Sequence, residues 1–372
     1  MAGSSGGADR GRRTQLRAPA RRAPSGPSKG GGRKPARKPR RSGGSGGGRK
    51  PVRRGPLRRL FGWLLRALWA VGWRAAAVGA ILLAGAVAYD YSRLPPAAEM
   101  LADGRVRGSV TLLDKDGRPF AWRGEQFGGV ITADTVSPHL KHAIVATEDR
   151  RFYRHFGIDP RGILRAMIVN IRAGRGPFSG QGGSTITQQL AKLLCLGRRY
   201  DPASGISEAA FEADCRQTTL WRKIKEVPYA LALELRYSKD EILSVYMNRA
   251  YLGAGTKGFE AAAQRYFGKS ARNLTPAEAA MLAGLLKAPS YYAPTRNLER
   301  ARGRAAVILG LMRDQGYLTE AEYRDALAHP AQLSAEAMRR AGGWFADWVM
   351  EAGPAFLTRR TTEDVIIRTT FD

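Results

Sequence analysis

Two adjacent carboxylates, Glu148 and Asp149, begin a run rich in arginine and aromatic side chains that extends to Gly157. Apolar residues at helical spacing precede Glu148, so the sequence places this carboxylate at the end of an otherwise apolar helix face. Partial desolvation at such a position raises the pKa of a carboxyl group, which suits a general base. The alternative is an ordinary ion pair with one of the neighbouring arginines.

The segment Gly182–Lys192 combines two glycines with hydroxyl, amide and ammonium groups. Hydroxyl and backbone donors near a helix start can hold an anion, and Lys192 adds a point charge. The alternative is a simple helix cap formed by Ser184 or Thr185, and both functions can hold together. A Walker-type phosphate loop is excluded because its Gly-Lys-Ser/Thr ending is absent.

A third polar group lies at Arg222, Lys223 and Glu226. Arg222 and Glu226 are four residues apart and therefore share one face of a helix. The three residues together can offer two cations and a carboxylate to a phosphorylated ligand, and the alternative is a surface ion pair.

The elements that position these groups are mainly helical. Ser238, Thr275 and Thr319 are each followed three residues later by glutamate, which is the pattern of a capping box. These starts predict an α-dominant domain over residues 131–335. Before it, over residues 93–130, a linker leads to a small β-hairpin, whose turn is predicted at Asp116-Gly117.

The N-terminal part of the chain has two further regions. Residues 1–58 consist largely of Gly, Ser, Pro, Arg and Lys, and they predict a disordered basic tail. Residues 63–90 are almost wholly apolar and predict a transmembrane helix. The excess of Arg and Lys before the helix predicts a cytoplasmic N-terminus and an extracytoplasmic catalytic domain. A cleaved signal peptide is disfavoured because the tail is much longer than a signal's basic region.

The basic tail has two interpretations, contact with an anionic membrane leaflet and nucleic-acid binding. The apolar segment that follows favours the membrane, so we expect no nucleic-acid partner.

Five motifs of this chain occur in the order found in one family. They are Glu148–Gly157, Gly182–Gln189, Arg222–Glu226, Lys239–Asn248 and Glu278–Ala283. The chain resembles the glycosyltransferase domain of class A penicillin-binding proteins and of monofunctional peptidoglycan glycosyltransferases, over roughly residues 105–300. The resemblance implies a lysozyme-like helical fold that polymerises lipid II into β-1,4-linked glycan strands with release of undecaprenyl diphosphate.

The resemblance also implies roles for single residues. Glu148 matches the general base, and Glu226 matches a second catalytic glutamate near the donor diphosphate. Residues that match diphosphate or sugar positions are Lys192, Arg222, Lys223, Ser184, Thr185, Gln188 and Gln189. Residues that match positions shaping the site are Asp149, Phe152, His155, Tyr246 and Asn248. For Glu278, which also falls in a motif, we favour the role in a capping box.

Partners and cofactors follow from the same resemblance. We expect lipid II, the growing glycan strand, membrane lipids and a cell-wall synthesis or division complex as partners, at the bacterial cytoplasmic (inner) membrane with the catalytic domain in the periplasm. No cofactor is firmly required, although some members use a divalent cation (Mg²⁺ or Mn²⁺) near the diphosphate. A lytic muramidase of the same fold and a non-catalytic scaffold are the rival interpretations. A muramidase needs no cationic diphosphate site, and a scaffold needs neither glutamate.

The chain departs from the family at Leu193, where many members have asparagine, at Pro228 and in a longer link from Leu193 to Leu220. That link holds Cys195 and Cys215, which either form a disulfide or remain two unpaired thiols. Residues 340–372 resemble the start of a linker towards an absent transpeptidase domain, so transpeptidase activity is not expected in this chain.

Overall fold

The computed structural model describes residues 56–102, 110–123, 129–177, 179–180, 182–198, 200–201, 204–217, 219–338, 343–354 and 365–372. The chain divides into two compact units, Met1–Leu64 and Leu65–Asp372, and the functional residues belong to the second. The basic tail predicted for residues 1–58 lies outside the described residues except at its last three positions.

The described residues form fifteen α-helices and three β-strands. The helices are α1 Pro56–Arg93, α2 Ala97–Ala102, α3 Pro138–Glu148, α4 Pro160–Arg172, α5 Ile186–Leu193, α6 Glu208–Arg216, α7 Leu220–Arg236, α8 Lys239–Arg249, α9 Phe259–Phe267, α10 Pro276–Leu285, α11 Pro289–Tyr292, α12 Leu298–Asp314, α13 Glu320–Ala328, α14 Ala335–Met338 and α15 Gly343–Ala352. The strands are β1 Val110–Leu113, β2 Pro119–Arg123 and β3 Val365–Arg368. The predicted mainly α-helical fold is confirmed.

Helix α1 contains the predicted membrane segment. Its part Leu60–Arg93 has 34 residues and contains an 18-residue stretch with a mean hydropathy of 1.7, so it is long and apolar enough to cross a membrane. A span needs about 20 residues. The tryptophans Trp63, Trp69 and Trp73 are exposed along it.

Short polar signals begin several of the helices. Capping boxes with both hydrogen bonds are present at Ser238, Thr275 and Thr319, as predicted, and a fourth occurs at Thr185. Each box satisfies backbone N–H groups that have no partner inside the helix. Helix α7 continues through Pro228 to Arg236.

The core is centred on helix α10, whose residues Ala279–Leu285 are all buried. A helix that is buried on all its faces is apolar all round, and α10 packs against α3 and α12. Leu140 and Ile144 of α3 are fully buried against this core. The core therefore fixes the helix whose last residue is Glu148.

A small three-stranded sheet lies in the order β2-β1-β3. β1 and β2 form the predicted antiparallel hairpin, and β3 adds to β1 in parallel, with Val110 opposite Val365. Helix α15 packs on this sheet through Ala346, in a hydrophobic cluster separate from the main core. Residues Val365–Arg368, in the segment that we interpreted as the start of a linker, thus add a third strand to the hairpin.

Candidate active site

Glu148 is half-buried at the C-terminal end of α3. Its Oε2 accepts a hydrogen bond of 2.9 Å from Nε2 of Gln189 on α5. Burial raises the pKa of the Glu148 carboxyl above its ordinary value, while the Gln189 hydrogen bond and the charge of Arg304 act in the opposite direction. Among the residues that the structure describes, Glu148 forms no salt bridge with Arg150, Arg151 or Arg154. The carboxyl group therefore has the environment expected of a general base.

The orientation of Gln189 is fixed from its other side. The hydroxyl of Tyr246 donates a hydrogen bond of 3.0 Å to Oε1 of Gln189. Tyr246 is fully buried, and burial raises its pKa well above the ordinary value, so the hydroxyl remains protonated and acts as a donor. With its oxygen occupied, the Gln189 amide presents its NH₂ group to Glu148.

Asp149 lies next to the candidate base but points to a different set of partners. Its buried Oδ2 accepts a hydrogen bond of 3.1 Å from the backbone N–H of Ile186, the first residue of α5. The same oxygen lies 2.8 Å from Nε2 of His155, whose side chain is 3% exposed. A carboxylate at a helix N-terminus is favoured by the helix dipole. Asp149 thus joins the first motif to the second.

Phe152 and Asn248 also hold backbone and side chains in place. Phe152 is fully buried, with its ring against Tyr153 and His155. Asn248 exchanges two hydrogen bonds with the backbone of Ile131, at 3.0 and 2.6 Å, which fixes the segment leading into α3. These contacts hold both residues within the fold, and their roles in shaping the site stay predictions.

Glu226 is the centre of a cationic cluster on α7. Its side chain is fully buried, and its two oxygens accept hydrogen bonds from the guanidinium of Arg222 and, at 2.7 Å, from the ammonium of Lys223. The Lys223 ammonium also donates to Oγ of Ser184 at 2.7 Å. Two cations on one carboxylate leave an excess positive charge beside the entry to α5.

Lys192 lies in the last turn of α5 and is partly exposed. Helix α5 packs against α7, which carries Arg222 and Lys223. The three predicted cations therefore belong to two helices in direct contact. Leu193 follows Lys192 and is 37% exposed.

The predicted hydroxyl and amide donors divide into two groups. Thr185 and Gln188 are buried and form the capping box of α5, and the Thr185 hydroxyl also donates to the backbone oxygen of Gly157 at 2.6 Å. The predicted helix cap is therefore observed at Thr185, and a contact of either residue with substrate stays a prediction. Ser184 and Gln189 are only partly buried, so these two keep side-chain surface near Lys223 and Glu148.

Cys195 and Cys215 form a disulfide, with Cα atoms 5.2 Å apart. The bridge closes the link between Lys192 and Arg222. Beside it, Arg198 pairs with Asp214 at 2.8 Å. The link is tied to the site at its far end, where the Arg222 guanidinium donates to the backbone oxygen of Gln217.

Sequence reasoning missed a buried carboxylate at Glu234. Its Oε1 accepts a hydrogen bond of 2.6 Å from Thr187 of α5 and lies 2.7 Å from the ammonium of Lys239. A signal was available, since Glu234 follows Glu226 by eight residues and thus lies near the same side of α7.

Comparison with known proteins identifies the family of this chain. The family model described as transglycosylase matches residues 116–313, which is more than half of the chain. This chain belongs to the transglycosylase family.

Several penicillin-binding proteins are similar to this transglycosylase chain. Penicillin-binding protein 1A of Aquifex aeolicus is 43% identical over 236 residues, which are 63% of this chain and 30% of that protein. Penicillin-binding protein 1A of Escherichia coli is 40% identical over 246 residues, 66% of this chain and 26% of that protein. A crystal structure of penicillin-binding protein 1A from Haemophilus influenzae aligns with 24% identity and a TM-score of 0.39, covering 71% of this chain and 26% of that chain. The chain spans less than a third of the length of the curated relatives it matches.

The described residues do not form a metal site from protein ligands alone. No group of three or more His, Cys, Asp or Glu side chains is placed there to hold a metal ion. Glu226 is the carboxylate at the centre of the cationic cluster. Both of its oxygens are already bound by Arg222 and Lys223.

Proposed function

We propose that this protein is a peptidoglycan glycosyltransferase, which polymerises lipid II into β-1,4-linked glycan strands for the bacterial cell wall. The observation that carries the proposal is that α5 lies between the candidate base and the cationic cluster. Gln189 on this helix holds the carboxylate of Glu148, and Ser184 just before it accepts a hydrogen bond from Lys223 of the cationic cluster. A base and an anion site are what this transfer requires.

In the proposed reaction Glu148 removes the proton from the 4-hydroxyl of the acceptor sugar. The oxygen attacks the anomeric carbon of the donor, and the bond from that carbon to the diphosphate oxygen breaks. The diphosphate leaves with the electron pair, still attached to its undecaprenyl chain. Burial raises the pKa of Glu148, which makes its carboxylate a stronger base than that of an exposed glutamate.

The leaving diphosphate gains negative charge in the transition state, and pre-placed cations stabilise charge where it develops. Arg222, Lys223 and Lys192 are the proposed cations. Glu226 fixes the first two by direct hydrogen bonds, so their positions do not have to be organised during the reaction. A divalent ion, where one takes part, would draw most of its ligands from the diphosphate itself.

The proposed location is the cytoplasmic membrane, with the N-terminus inside and the catalytic residues outside. Helix α1 is long enough to span, and α4 supports contact with the same surface. Leu164, Ile168, Val169 and Ile171 of α4 are exposed apolar residues on a helix that also carries Arg165 and Arg172. Apolar and basic residues on one helix suit the boundary between lipid tails and headgroups. The basic tail and a cell-wall synthesis complex complete the proposed set of partners.

The cationic cluster distinguishes this proposal from lytic cleavage of glycan by a muramidase. Cleavage by water releases no diphosphate, so it gives no reason to bury Glu226 under two cations. A non-catalytic scaffold would likewise give no reason for the desolvation of Glu148.

The test is polymerisation of labelled lipid II in detergent by the full chain and by Glu148→Gln, with product length read on a gel. We expect glycan polymer from the wild type and essentially none from the variant. Polymer from both proteins would retain the reaction and remove Glu148 as its base. A wild type that makes no polymer, with or without Mg²⁺, would overturn the proposed function.

A further inference from the structure

We propose that Glu234 is a positioning residue for the transfer reaction, since it sets how α5 lies on α7 and thereby holds Gln189 against Glu148. This inference rests on the proposed function and adds to it a residue outside the two glutamates already discussed.

Glu234 forms a buried contact between α5 and α7. Its side chain is 3% exposed, and Thr187, which donates to it at 2.6 Å, is fully buried. A hydrogen bond to a carboxylate is stronger than one between neutral groups, and a low local dielectric strengthens it further. The carboxylate of Glu234 therefore ties α5 firmly to α7.

The charge of Glu234 is balanced from a third helix. The ammonium of Lys239, the first residue of α8, lies 2.7 Å from the same carboxylate oxygen and 4.5 Å from the ring centroid of Phe152. Phe152 belongs to the motif that contains Glu148. One ion pair thus connects the end of α7, the start of α8 and the first motif.

The backbone of the first motif also rests on this part of α7. Gly157 has a φ of +72°, and a Cβ atom there would lie 3.1 Å from the backbone oxygen of Ala230 and 3.2 Å from Cγ of Glu234. Thr185, the cap of α5, donates to the oxygen of Gly157. Glu234 is therefore surrounded by elements that all lead to the candidate site.

The geometry of α5 transmits this contact to the base. Thr187 and Gln189 are two residues apart, so their side chains leave the helix about 200° apart around its axis. Thr187 points to Glu234, and Gln189 reaches Glu148 from the other side. A rotation or shift of α5 that follows loss of the Glu234 contact would move the Gln189 amide away from Glu148.

Such a movement has a signature that a general loss of stability lacks. The Gln189 hydrogen bond lowers the pKa of Glu148, so its loss raises that pKa further. Because the base must be ionised, the acid limb of the pH profile of kcat/KM would move to higher pH.

The experiment uses the full chain and three variants. Glu234→Gln keeps an oxygen for Thr187 but removes the charge that balances Lys239. Thr187→Val keeps the branched shape but removes the donor, and it leaves the ion pair intact. Glu299→Gln is the matched control, because Glu299 has an 82% exposed side chain on α12. Lipid II polymerisation is measured across pH, together with thermal unfolding and amide hydrogen exchange of Ile186–Leu193.

We expect kcat to fall about 10- to 100-fold in both Glu234→Gln and Thr187→Val, as for misplaced catalytic groups. The acid limb should move to higher pH in both and stay in place in Glu299→Gln. Loss of activity with an unmoved limb in folded Thr187→Val would overturn the proposal. So would equal limb shifts in all three variants.

Failure of the proposed function gives a different result. If the wild type makes no polymer, amide hydrogen exchange still tests whether Glu234 holds α5 on α7. Faster exchange in Ile186–Leu193 of Thr187→Val than of wild type, with other protected amides unchanged, would support the role of Glu234 in holding α5. Unchanged exchange there would overturn it.

Discussion

Gln189 occupies the space between Glu148 and Tyr246, donating to the first and accepting from the second. Three residues from three helices, α3, α5 and α8, are thereby fixed in one chain of hydrogen bonds. The buried tyrosine hydroxyl determines which end of the amide meets the carboxylate. The environment of the candidate base thus depends on Tyr246, which acts on Glu148 through Gln189.

Replacing Gln189 by alanine tests this arrangement at its centre. The hydrogen bond lowers the pKa of Glu148, so its removal raises the pKa and the acid limb of kcat/KM moves to higher pH. Below the wild-type limb we expect a loss of about tenfold, the size of one hydrogen bond to a charged group. Well above the limb the loss should be smaller, because the base is again ionised. A uniform loss at every pH would contradict this account.

Tyr246→Phe tests the same chain one step away. The variant keeps the buried ring and removes only the hydroxyl, which leaves Oε1 of Gln189 without this donor. The amide then loses its fixed orientation, and we expect the pH limb to move in the same direction as in Gln189→Ala but by less. Because Gln189 is only partly buried, the loss is that of one ordinary hydrogen bond, and stability should fall by about 0.5–1.5 kcal/mol. Urea unfolding of both variants would separate the two effects.

Lys223→Met tests the cationic cluster. The variant leaves the buried Glu226 with one cation in place of two, and breaking a buried pair costs about 3–5 kcal/mol when the remaining charge is uncompensated. Arg222 remains, so we expect the lower part of that range and a marked rise in KM for lipid II. Lys225→Met is the control, since Lys225 lies on the same helix but is exposed over the ring of Trp221. Equal losses in both variants would show that general positive charge, not the cluster, is what matters.

Much of this site could be predicted because capping boxes and ion pairs within one helix depend only on residues that are close in sequence. The box at Ser238 and the Arg222–Glu226 pair need only helical spacing, and both are observed. Thr185 and Gln188 were ambiguous because the same donors can serve a cap or a ligand. Both residues are buried and form the cap, and a contact with a ligand stays a prediction. Burial depends on tertiary packing, which spacing alone does not reveal.

Contacts between distant segments were beyond local reasoning. β3 pairs with β1 although more than 250 residues separate them, and its alternating pattern identifies a strand without identifying a partner. Glu234 was overlooked for a related reason. Its partner Thr187 lies 47 residues earlier, so only the packing of α5 on α7 brings the two together.

The disulfide between Cys195 and Cys215 yields the last prediction. The bridge closes a separation of 20 residues. The entropy of such a loop corresponds to about 3 kcal/mol of stability in the chain-entropy model. Reduction should therefore lower the unfolding temperature, and Cys195→Ala/Cys215→Ala should show the lower value with or without reductant.

The same change should reach the cationic cluster through a backbone contact. Gln217 follows the second cysteine by two residues, and its backbone oxygen accepts a hydrogen bond from Arg222. When the link is open this oxygen is less firmly held, so the guanidinium is less well placed for a diphosphate. We expect KM for lipid II to rise on reduction of the wild type and to remain unaffected by reductant in the double variant. If reduction lowers the unfolding temperature but leaves KM unchanged, the disulfide stabilises the link without affecting the cationic cluster.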